Sequence, residues 1–248
     1  MVNNINFLEN DCILCPICKN KTINYLPLPD FYRVNAQMNG YIHFGQVEMT
    51  SLETYTCSKC GSSDRERLYA YWLKEKLSKQ KQISMIHFAP ECALSKWILD
   101  NFTLIYETAD LMMERVNHKI DMLNMPFKDN SYDCFICSHI LEHVDDDYLA
   151  VSELYRILKS GGWGILMAPI CTKIEHTLED KSHTTEEERW KYYGQNDHLR
   201  LYSHNGYVDV ISSSGFKVNQ LGIKHFGKKV FKQLGLKKTS ILYIVEKE

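Results

Sequence analysis

Short apolar runs and amphipathic stretches alternate along the chain from residue 83 onward. The apolar runs predict strands at 83–88, 103–108, 119–121, 132–137, 163–168, 216–218 and 241–245. Apolar residues at helical spacing predict helices over 92–99, 146–158 and 205–213, the second of which ends before Gly161. Alternating strands and helices are typical of an α/β fold, so we expect a seven-stranded, mainly parallel sheet with helices on both faces.

The beginning of the chain shows no such periodicity and contains clustered cysteines together with several Pro and Gly residues. This composition predicts a small module over 1–61. Cap-type residues from Ser62 introduce apolar positions at helical spacing, which predicts a linking helix over 62–82. The main domain is expected over 83–248, with an insertion at 172–204 that folds over the ligand site as a lid.

The composition is that of a globular protein, since 44% of the 248 residues are hydrophobic and 24% are charged. The formal net charge of −2 provides no overall attraction to nucleic acid or to anionic membranes, so neither is expected as a partner. No apolar run is long enough to cross a bilayer, and the first residues, MVNNINFLENDCILC, have neither a basic leader nor an apolar signal core. We therefore expect a cytoplasmic protein without integral membrane association, whose nine cysteines are reduced.

Four of the cysteines form two CxxC pairs, Cys15-Pro-Ile-Cys18 and Cys57-Ser-Lys-Cys60. In a CxxC turn two thiolates can bind one ion, and two such turns complete a tetrahedral Zn²⁺ site. Because four thiolates leave no coordination position open, the predicted role of Cys15, Cys18, Cys57 and Cys60 is structural. A bound ion would stabilise a segment that is too small to form a core alone.

Other uses of these residues remain open at the level of sequence. Cys12 also forms a CxxC pattern with Cys15, although the residues that follow Cys15 and Cys60 favour the pairing above. His43 could replace one of the thiolates, and the thiols could instead be buried separately or form a redox pair. The doubled motif favours a bound metal.

Four segments of the main domain carry a family resemblance, namely HFAPECAL (87–94), YETADL (106–111), KIDMLNMPFKDNSYDCFICSHILEHV (119–144) and ELYRILKSGGWGILMAPI (153–170). Together they resemble class I S-adenosylmethionine-dependent methyltransferases of the type 11 group, over 83–248. With its N-terminal CPxC…CxxCGSxxR pattern and its Ala-Pro-Glu turn, the chain is similar to a bacterial subgroup often associated with surface-polysaccharide assembly. The resemblance implies a Rossmann-like fold and S-adenosyl-L-methionine as cofactor, with S-adenosylhomocysteine as product.

The resemblance also implies where the cofactor binds, because ligands of such sheets lie at the carboxyl ends of the strands. Asp110 would accept hydrogen bonds from both ribose hydroxyls, and Asp121 would accept one from the adenine amine; either carboxylate could instead cap a turn. Ser138 and His139 would face the methionine moiety and the methyl group. The implied cofactor-binding residues are His87, Ala89, Pro90, Glu91, Asp110, Leu111, Asp121, Met122, Ser138 and His139.

The turn after the first strand departs from the family pattern. The family has an acidic residue followed by GxGxG at this turn, whereas HFAPECA (87–93) contains no glycine. Pro90 could begin a helix, and Glu91 would suit the positive end of the helix dipole. Our hypothesis is that Glu91 pairs with the ammonium group of the cofactor's methionine, in place of the missing acid.

Three histidines could remove a proton from a neutral hydroxyl acceptor: His139, His143 and, in the insertion, His198. His139 is placed best, whereas His143 and Glu142 could equally be packing residues, and each histidine could be purely structural. An anionic acceptor would need cations instead, and the residues that could supply them are Arg200, Lys224, His225, Lys228, Lys229, Lys232, Lys237 and Lys238. The same lysines could form a solvated loop or, with the apolar residues between them, a short amphipathic helix that touches lipid-linked substrate.

These features predict an S-adenosylmethionine-dependent methyltransferase that O-methylates a sugar, or a phosphorylated or nucleotide-activated intermediate, in surface-glycan biosynthesis. The expected acceptor is thus a small molecule or a glycan precursor, either of which can be anionic. A zinc-containing RNA methyltransferase is a second interpretation, which the slightly acidic charge disfavours. A third is a degenerate fold kept as a binding module; the missing glycines favour it, and Asp110 and Asp121 are evidence against it.

Overall fold

The computed structural model describes residues 12–79 and 82–248. Its helices are α1 (Asp30–Met38), α2 (Asp64–Ser78), α3 (Cys92–Asn101), α4 (Asp147–Ile157), α5 (Glu186–Tyr193), α6 (His204–Ser212), α7 (Ile223–Phe226) and α8 (Lys228–Leu234). Its strands are β1 (Ile13–Leu14), β2 (Lys21–Thr22), β3 (Ser84–Phe88), β4 (Ile105–Asp110), β5 (His118–Lys119), β6 (Tyr132–Ser138), β7 (Leu158–Met167), β8 (Ile170–Cys171), β9 (Leu178–Glu179), β10 (Arg200–Ser203), β11 (Lys217–Leu221) and β12 (Leu242–Glu246).

Seven strands form one central sheet in the order β11-β12-β7-β6-β3-β4-β5. The five neighbouring strands β7, β6, β3, β4 and β5 run parallel to one another. β12 is antiparallel to both β7 and β11. β3 lies inside the sheet next to the central strand β6, and its Ile86 pairs with Glu107 of β4 on one side and with Phe135 of β6 on the other. The predicted Rossmann-like, mainly parallel sheet is therefore confirmed.

The chain winds outward from the centre of the sheet in both directions. It passes from β3 through α3 to β4 on one side, and from β6 through α4 to β7 on the other. Because crossovers between parallel strands are right-handed, α3 and α4 lie on opposite faces. α2 packs against α3, and α6 packs against α4. The reversal of direction between β3 and β6 leaves a crevice at their carboxyl ends, where ligands of such sheets bind.

Most predicted elements agree with the observed ones within a few residues, but two strands differ. The third predicted strand, 119–121, is reduced to the two residues of β5. The fifth was expected from residue 163, yet β7 begins at Leu158, directly after α4, because Leu158 pairs with Tyr132 across an irregular register. Gly161, which we interpreted as a signal for the helix end, has a φ of +75° inside this strand.

The N-terminal segment shares one hydrophobic core with the sheet, to which Cys15 and Tyr25 both belong. Arg67 of α2 holds the two parts together, because its fully buried guanidinium donates hydrogen bonds to backbone carbonyls of both. The acceptors are the carbonyl oxygens of Thr54, Tyr55, Ser62 and Leu234. α2 itself begins with a capping box between Ser63 and Glu66, which fixes where the helix starts.

The insertion after β7 forms a small sheet in the order β8-β10-β9, with α5 between β9 and β10. Glu48 of the N-terminal segment reaches the following helix and β12. Its buried carboxylate lies 2.6 Å from Nδ1 of His204 and accepts a hydrogen bond from the Tyr243 hydroxyl. The N-terminal segment, the insertion and the sheet thus meet at one end of the molecule. Within residues 12–79 and 82–248, no helix combines the length and the apolar character needed to cross a membrane.

Candidate active site and metal cluster

The four predicted cysteine ligands lie together. The Sγ atoms of Cys15 and Cys60 are 3.9 Å apart, those of Cys18 and Cys57 are 3.7 Å apart, and all four lie within 4.8 Å of one another. A tetrahedron with Zn–S bonds of roughly 2.3 Å has edges of about 3.8 Å, so these positions fit one zinc ion. The predicted cluster is present, and its donor set fits a structural zinc ion.

The backbone around these cysteines is arranged as in a metal-binding turn. The amide of Lys19 donates to the carbonyl of Cys15, and the amide of Gly61 donates to that of Cys57. Burial raises the pKa of the Cys57 thiol, but the amides of Cys60 and Lys59 outweigh this effect and leave the pKa below its ordinary value. The turn therefore favours the thiolate at Cys57, whereas burial raises the pKa of Cys18 and of Cys60.

The two other residues considered as ligands lie outside this cluster. Cys12 is exposed and is not part of the four-cysteine group. His43 lies beside Gln46 and lines a cavity near the carboxyl end of β6. The four-cysteine assignment therefore needs no substitute ligand.

The turn after β3 adopts a conformation usually left to glycine. Ala89 has a φ of +46°, although its Cβ makes this left-handed region unfavourable by roughly 1–2 kcal/mol. Its amide donates to the carbonyl of Ala109 at 2.9 Å, which ties the turn to the end of β4. Pro90 and Glu91 follow, and Glu91 is the residue that precedes the first turn of α3. The backbone at Ala89 thus has the left-handed conformation even though the residue is not glycine.

His87 and Glu91 belong to a buried network that the sequence did not predict. Nε2 of His87 lies 2.9 Å from Oε2 of Glu91, and Nδ1 lies 2.8 Å from the Tyr106 hydroxyl. Nε of Arg65 lies 3.7 Å from Oε1 of Glu91. Burial opposes ionisation of Glu91, but His87 and Arg65 together hold its pKa below the ordinary value. His87 thus orients Glu91, and both of its ring nitrogens have partners within the protein.

Arg65 was missed as a site residue, although the CxxCGSxxR pattern contains it. It is the second residue of α2, which follows the Cys57–Cys60 pair, and its Nη1 donates a hydrogen bond to the Tyr55 hydroxyl. Its Nε is buried without a hydrogen-bond partner. The helix that follows the cysteine cluster therefore brings a cation next to the β3 turn.

Asp110 is the last residue of β4 and Asp121 follows β5 closely, and each carboxylate holds its own turn. Oδ1 of Asp110 accepts the amides of Met112 and Met113 at 2.7 Å, and Oδ1 of Asp121 accepts the amide of Leu123 at 2.9 Å. The turn-capping role and the ligand role are therefore compatible, since one oxygen of each carboxylate holds the backbone. Beside these carboxylates, Leu111 is exposed and Met122 is buried.

Ser138 and His139 follow each other at the end of β6 but face different surroundings. Ser138 is buried, and its Oγ lies 2.9 Å from the Tyr69 hydroxyl of α2. His139 has a φ of +58°, which turns the chain sharply, and its side chain lines the cavity. Of the two, His139 is the residue that adjoins open space.

This cavity has a volume of about 300 Å³ and lies next to the end of β6. Its walls come from three parts of the chain: the N-terminal segment and the start of α2, the turn after β6, and the insertion. The main lining residues are Tyr32, Tyr41, His43, Phe44, Tyr55, Arg65, His139, Glu142, His143, Tyr193, Gly194 and His198. A Cβ on Gly194 would lie 2.8 Å from the Tyr41 ring, so the N-terminal segment and the insertion meet closely here.

The three predicted catalytic histidines converge on this cavity, around Glu142. Nδ1 of His139 lies 3.5 Å from Oε1 of Glu142, and Nε2 of His143 lies 3.8 Å from the same oxygen. The rings of His143 and His198 are 4.7 Å apart. Burial raises the pKa of Glu142 to about 8 and lowers that of His198 to about 4. It also lowers the pKa of His139, and the positive charge of Arg65 adds to this effect.

Arg200 and Lys237 do not serve the anion-binding role considered for them. Arg200 is fully buried, and its guanidinium donates to the carbonyls of Leu141 and Val144 and to the carboxylate of Glu179. Lys237 donates to backbone carbonyls of the 45–47 loop. The residues that line the cavity include none from 224–238. Both side chains therefore support the walls of the cavity from outside.

Comparison with known proteins supports the family resemblance. A family model described as a methyltransferase domain matches residues 100–166, which include Asp110, Asp121 and the turn after β6. An uncharacterised protein of Methanocaldococcus jannaschii is 49% identical over 43 residues, which cover 17% of this chain. The chain spans only 18% of the length of that relative.

Two solved structures have a similar chain trace. The phosphoethanolamine N-methyltransferase 2 of Haemonchus contortus, in complex with phosphomonomethylethanolamine and S-adenosylhomocysteine, is 14% identical, with a TM-score of 0.47 over 75% of this chain and 53% of that one. The CMeT domain of the citrinin polyketide synthase is 12% identical, with a TM-score of 0.49 over 77% and 54%. The family match covers about a quarter of the chain, from the end of α3 to β7, and the sheet order agrees with the Rossmann-like fold of class I, S-adenosylmethionine-dependent methyltransferases.

Proposed function

We propose that this protein transfers the methyl group of S-adenosylmethionine to a hydroxyl oxygen of a small acceptor. The acceptor is a sugar, or a phosphorylated or nucleotide-activated sugar intermediate, in surface-glycan assembly. The observation that carries the proposal is the cavity beside the end of β6, which His139 lines directly after the last residue of that strand. This position suits a methyl group passed from one ligand to another.

The size and lining of the cavity support a sugar-sized acceptor. A volume of about 300 Å³ lies at the lower end of the range for small-molecule pockets. Aromatic rings of Tyr32, Tyr41, Phe44 and Tyr55 provide apolar faces, and histidines provide polar groups for hydroxyls. Of the lining residues, Arg65 alone is an Arg or Lys, whereas binding to an RNA backbone requires several cations. These features favour a small acceptor over RNA.

The chemistry requires orientation and removal of one proton. The acceptor oxygen forms a bond to the methyl carbon while the bond from that carbon to the sulfonium sulfur breaks, and the electron pair stays on sulfur in S-adenosylhomocysteine. The hydroxyl proton passes to a base, for which His139 is the best-placed group because it lines the cavity directly after the end of β6. Arg65 and Glu91 would hold the carboxylate and the ammonium group of the cofactor's methionine.

The test is incorporation of label from radiolabelled S-adenosylmethionine into fractionated small molecules and, in parallel, into RNA. We expect label in a hydroxyl-bearing small molecule that contains a sugar. Label in RNA would replace the proposed acceptor. Failure to bind the cofactor in calorimetry would overturn the methyltransferase activity itself and favour a binding module.

The substitution Asp110→Asn is expected to weaken S-adenosylmethionine binding by about 10- to 100-fold, since the amide cannot accept both ribose hydroxyls as a charged carboxylate does. The amide oxygen can still accept the amides of Met112 and Met113, so the turn should remain. Calorimetric titration measures the change. Asp100→Asn, at an exposed carboxylate of α3 paired with Lys96, is the control and should bind as the wild type does.

The substitution Glu91→Gln is expected to weaken cofactor binding by about tenfold or more, because it removes the charge opposite the ammonium group. The glutamine is nearly isosteric and can keep the contact with His87, so the fold should be retained. Binding of S-adenosylmethionine should suffer more than binding of a methyl donor analogue that lacks the ammonium group. Equal affinities of wild type and variant for the cofactor would exclude this role of Glu91.

A further inference from the structure

The geometry points to a second metal site, separate from the four-cysteine cluster, in the wall of the acceptor cavity. We propose that Glu142, His143 and His198 bind one divalent cation there. Its role in activating the acceptor rests on the proposed methyl transfer, whereas its binding does not. The three side chains lie within reach of one ion, since one donor atom from each lies within 4.8 Å of the others.

The distances are close to those of a bound ion. A cation held at roughly 2.1 Å by nitrogen and oxygen donors places neighbouring donors about 3.0–3.4 Å apart. The contact between Nε2 of His143 and Oε1 of Glu142 is 3.8 Å. The remaining donor pairs lie within 4.8 Å, so side-chain rotations that bring the donors closer by up to roughly an ångström or somewhat more would complete the coordination.

Three buried polar atoms of Glu142 and His198 have no hydrogen-bond partner. Glu142 is fully buried, and neither of its carboxylate oxygens makes a hydrogen bond. Nε2 of His198, also a buried residue, has no partner either. Buried polar groups are nearly always paired, because an unpaired one costs free energy. A cation at this point would satisfy all three atoms at once.

The Nδ1 atom of each histidine has a partner within the protein, as is usual for histidines in metal sites. Nδ1 of His143 lies 3.3 Å from Oδ2 of Asp197, and Nδ1 of His198 lies 3.2 Å from the carbonyl oxygen of Tyr193. Metal-binding histidines characteristically donate one ring N–H to a carboxylate or a backbone carbonyl, which leaves the other nitrogen free for the ion. This leaves Nε2 of His143 on the side of Glu142, and Nε2 of His198 as the ring nitrogen without a partner.

The donor set indicates the kind of ion and its use. Two imidazoles and one carboxylate favour a transition-metal ion such as Mn²⁺, Fe²⁺ or Zn²⁺ over Mg²⁺, which prefers oxygen. Three protein ligands leave coordination positions open, and all three residues line the acceptor cavity. An acceptor hydroxyl bound at an open position would lose its proton more readily, because the cation stabilises the oxygen anion. The proton goes to His139, and the oxygen then takes the methyl group.

The test uses Mn²⁺ and the full-length protein with zinc in its cysteine cluster. We expect the wild type to bind one Mn²⁺ per chain, measured by electron paramagnetic resonance. Glu142→Gln and His198→Gln should each weaken this binding by at least about 100-fold, and Asp197→Asn, which acts through His143, by about tenfold. His225→Ala, at an exposed histidine outside the cavity, is the matched control and should bind as the wild type does.

Zinc content and thermal unfolding of each variant establish that the cysteine cluster and the fold are intact. Equal Mn²⁺ binding by wild type, Glu142→Gln and His198→Gln would overturn the site, as would the absence of binding in the wild type. Either result would leave the proposed methyl transfer standing. Conversely, Mn²⁺ binding that depends on Glu142, without methyl transfer to any acceptor, would support the metal site and remove the proposed function.

Discussion

Replacing Cys57 by serine should remove the zinc ion of the cysteine cluster and unfold the N-terminal segment. The Cys57 side chain is buried and lies 3.7 Å from Sγ of Cys18. A neutral hydroxyl cannot substitute for a thiolate, and zinc binding by such clusters contributes roughly 10 kcal/mol or more to small domains. This exceeds what the short strands β1 and β2 can provide. We expect the free energy of unfolding to fall by at least about 5 kcal/mol, a large part of the stability of a typical domain.

The matched control is Cys12→Ser. Cys12 is exposed and forms the alternative CxxC pattern with Cys15, so its removal should change neither zinc content nor stability. Elemental analysis of zinc per chain and denaturant unfolding measure both variants. Loss of zinc in Cys12→Ser, or full zinc content in Cys57→Ser, would show that the four-cysteine assignment is wrong.

Loss of the zinc ion should also disturb the wall of the cavity beside the end of β6. Four aromatic residues that line the cavity lie between the two CxxC pairs, namely Tyr32, Tyr41, Phe44 and Tyr55. The segment would therefore have two roles, since an ion bound by the cysteines would fix a loop whose aromatic side chains form one wall of the cavity. The sequence predicted the ion from the CxxC spacing, but nothing in the spacing of these aromatic residues indicated a shared surface.

What the sequence could predict depends on how local each signal is. The position of Asp110 at the end of a strand could be predicted because a strand followed by a turn has a clear hydrophobic pattern, and the carboxyl ends of parallel strands share one edge. The turn at Ala89 was harder to predict, because the energetic penalty for a left-handed alanine is small enough to be offset by packing. Glycine therefore favours this turn but is not required for it.

The cluster around Glu142 shows what the sequence could not predict, namely a contact between residues that are distant along the chain. His139, Glu142 and His143 are neighbours in sequence, and their spacing already placed them near one another. His198 is more than fifty residues away, and only the fold of the insertion brings its ring to 4.7 Å from that of His143. The sequence therefore nominated three separate bases, whereas the structure brings them together around one buried carboxylate.

Arg200 is the residue whose predicted role changed most, and its substitution carries the second large effect. Its guanidinium donates to the carbonyls of Leu141 and Val144, and its Nε lies 3.5 Å from Oδ2 of the buried Asp147. These contacts hold the turn that carries Glu142 and His143. Arg200→Met removes the cation and leaves Asp147 buried without it, so stability should fall by about 3–5 kcal/mol.

For a domain of this size, that loss corresponds to a fall in Tm of about 10 °C, measured by thermal unfolding. Lys229→Met is the matched control, because Lys229 is exposed in the basic segment and its replacement should change stability by less than about 0.5 kcal/mol. An Arg200 that bound an anionic acceptor would give the opposite pattern, with unchanged Tm and a raised KM for the acceptor. The contrast between these outcomes distinguishes a buried support of the cavity wall from a ligand-binding arginine.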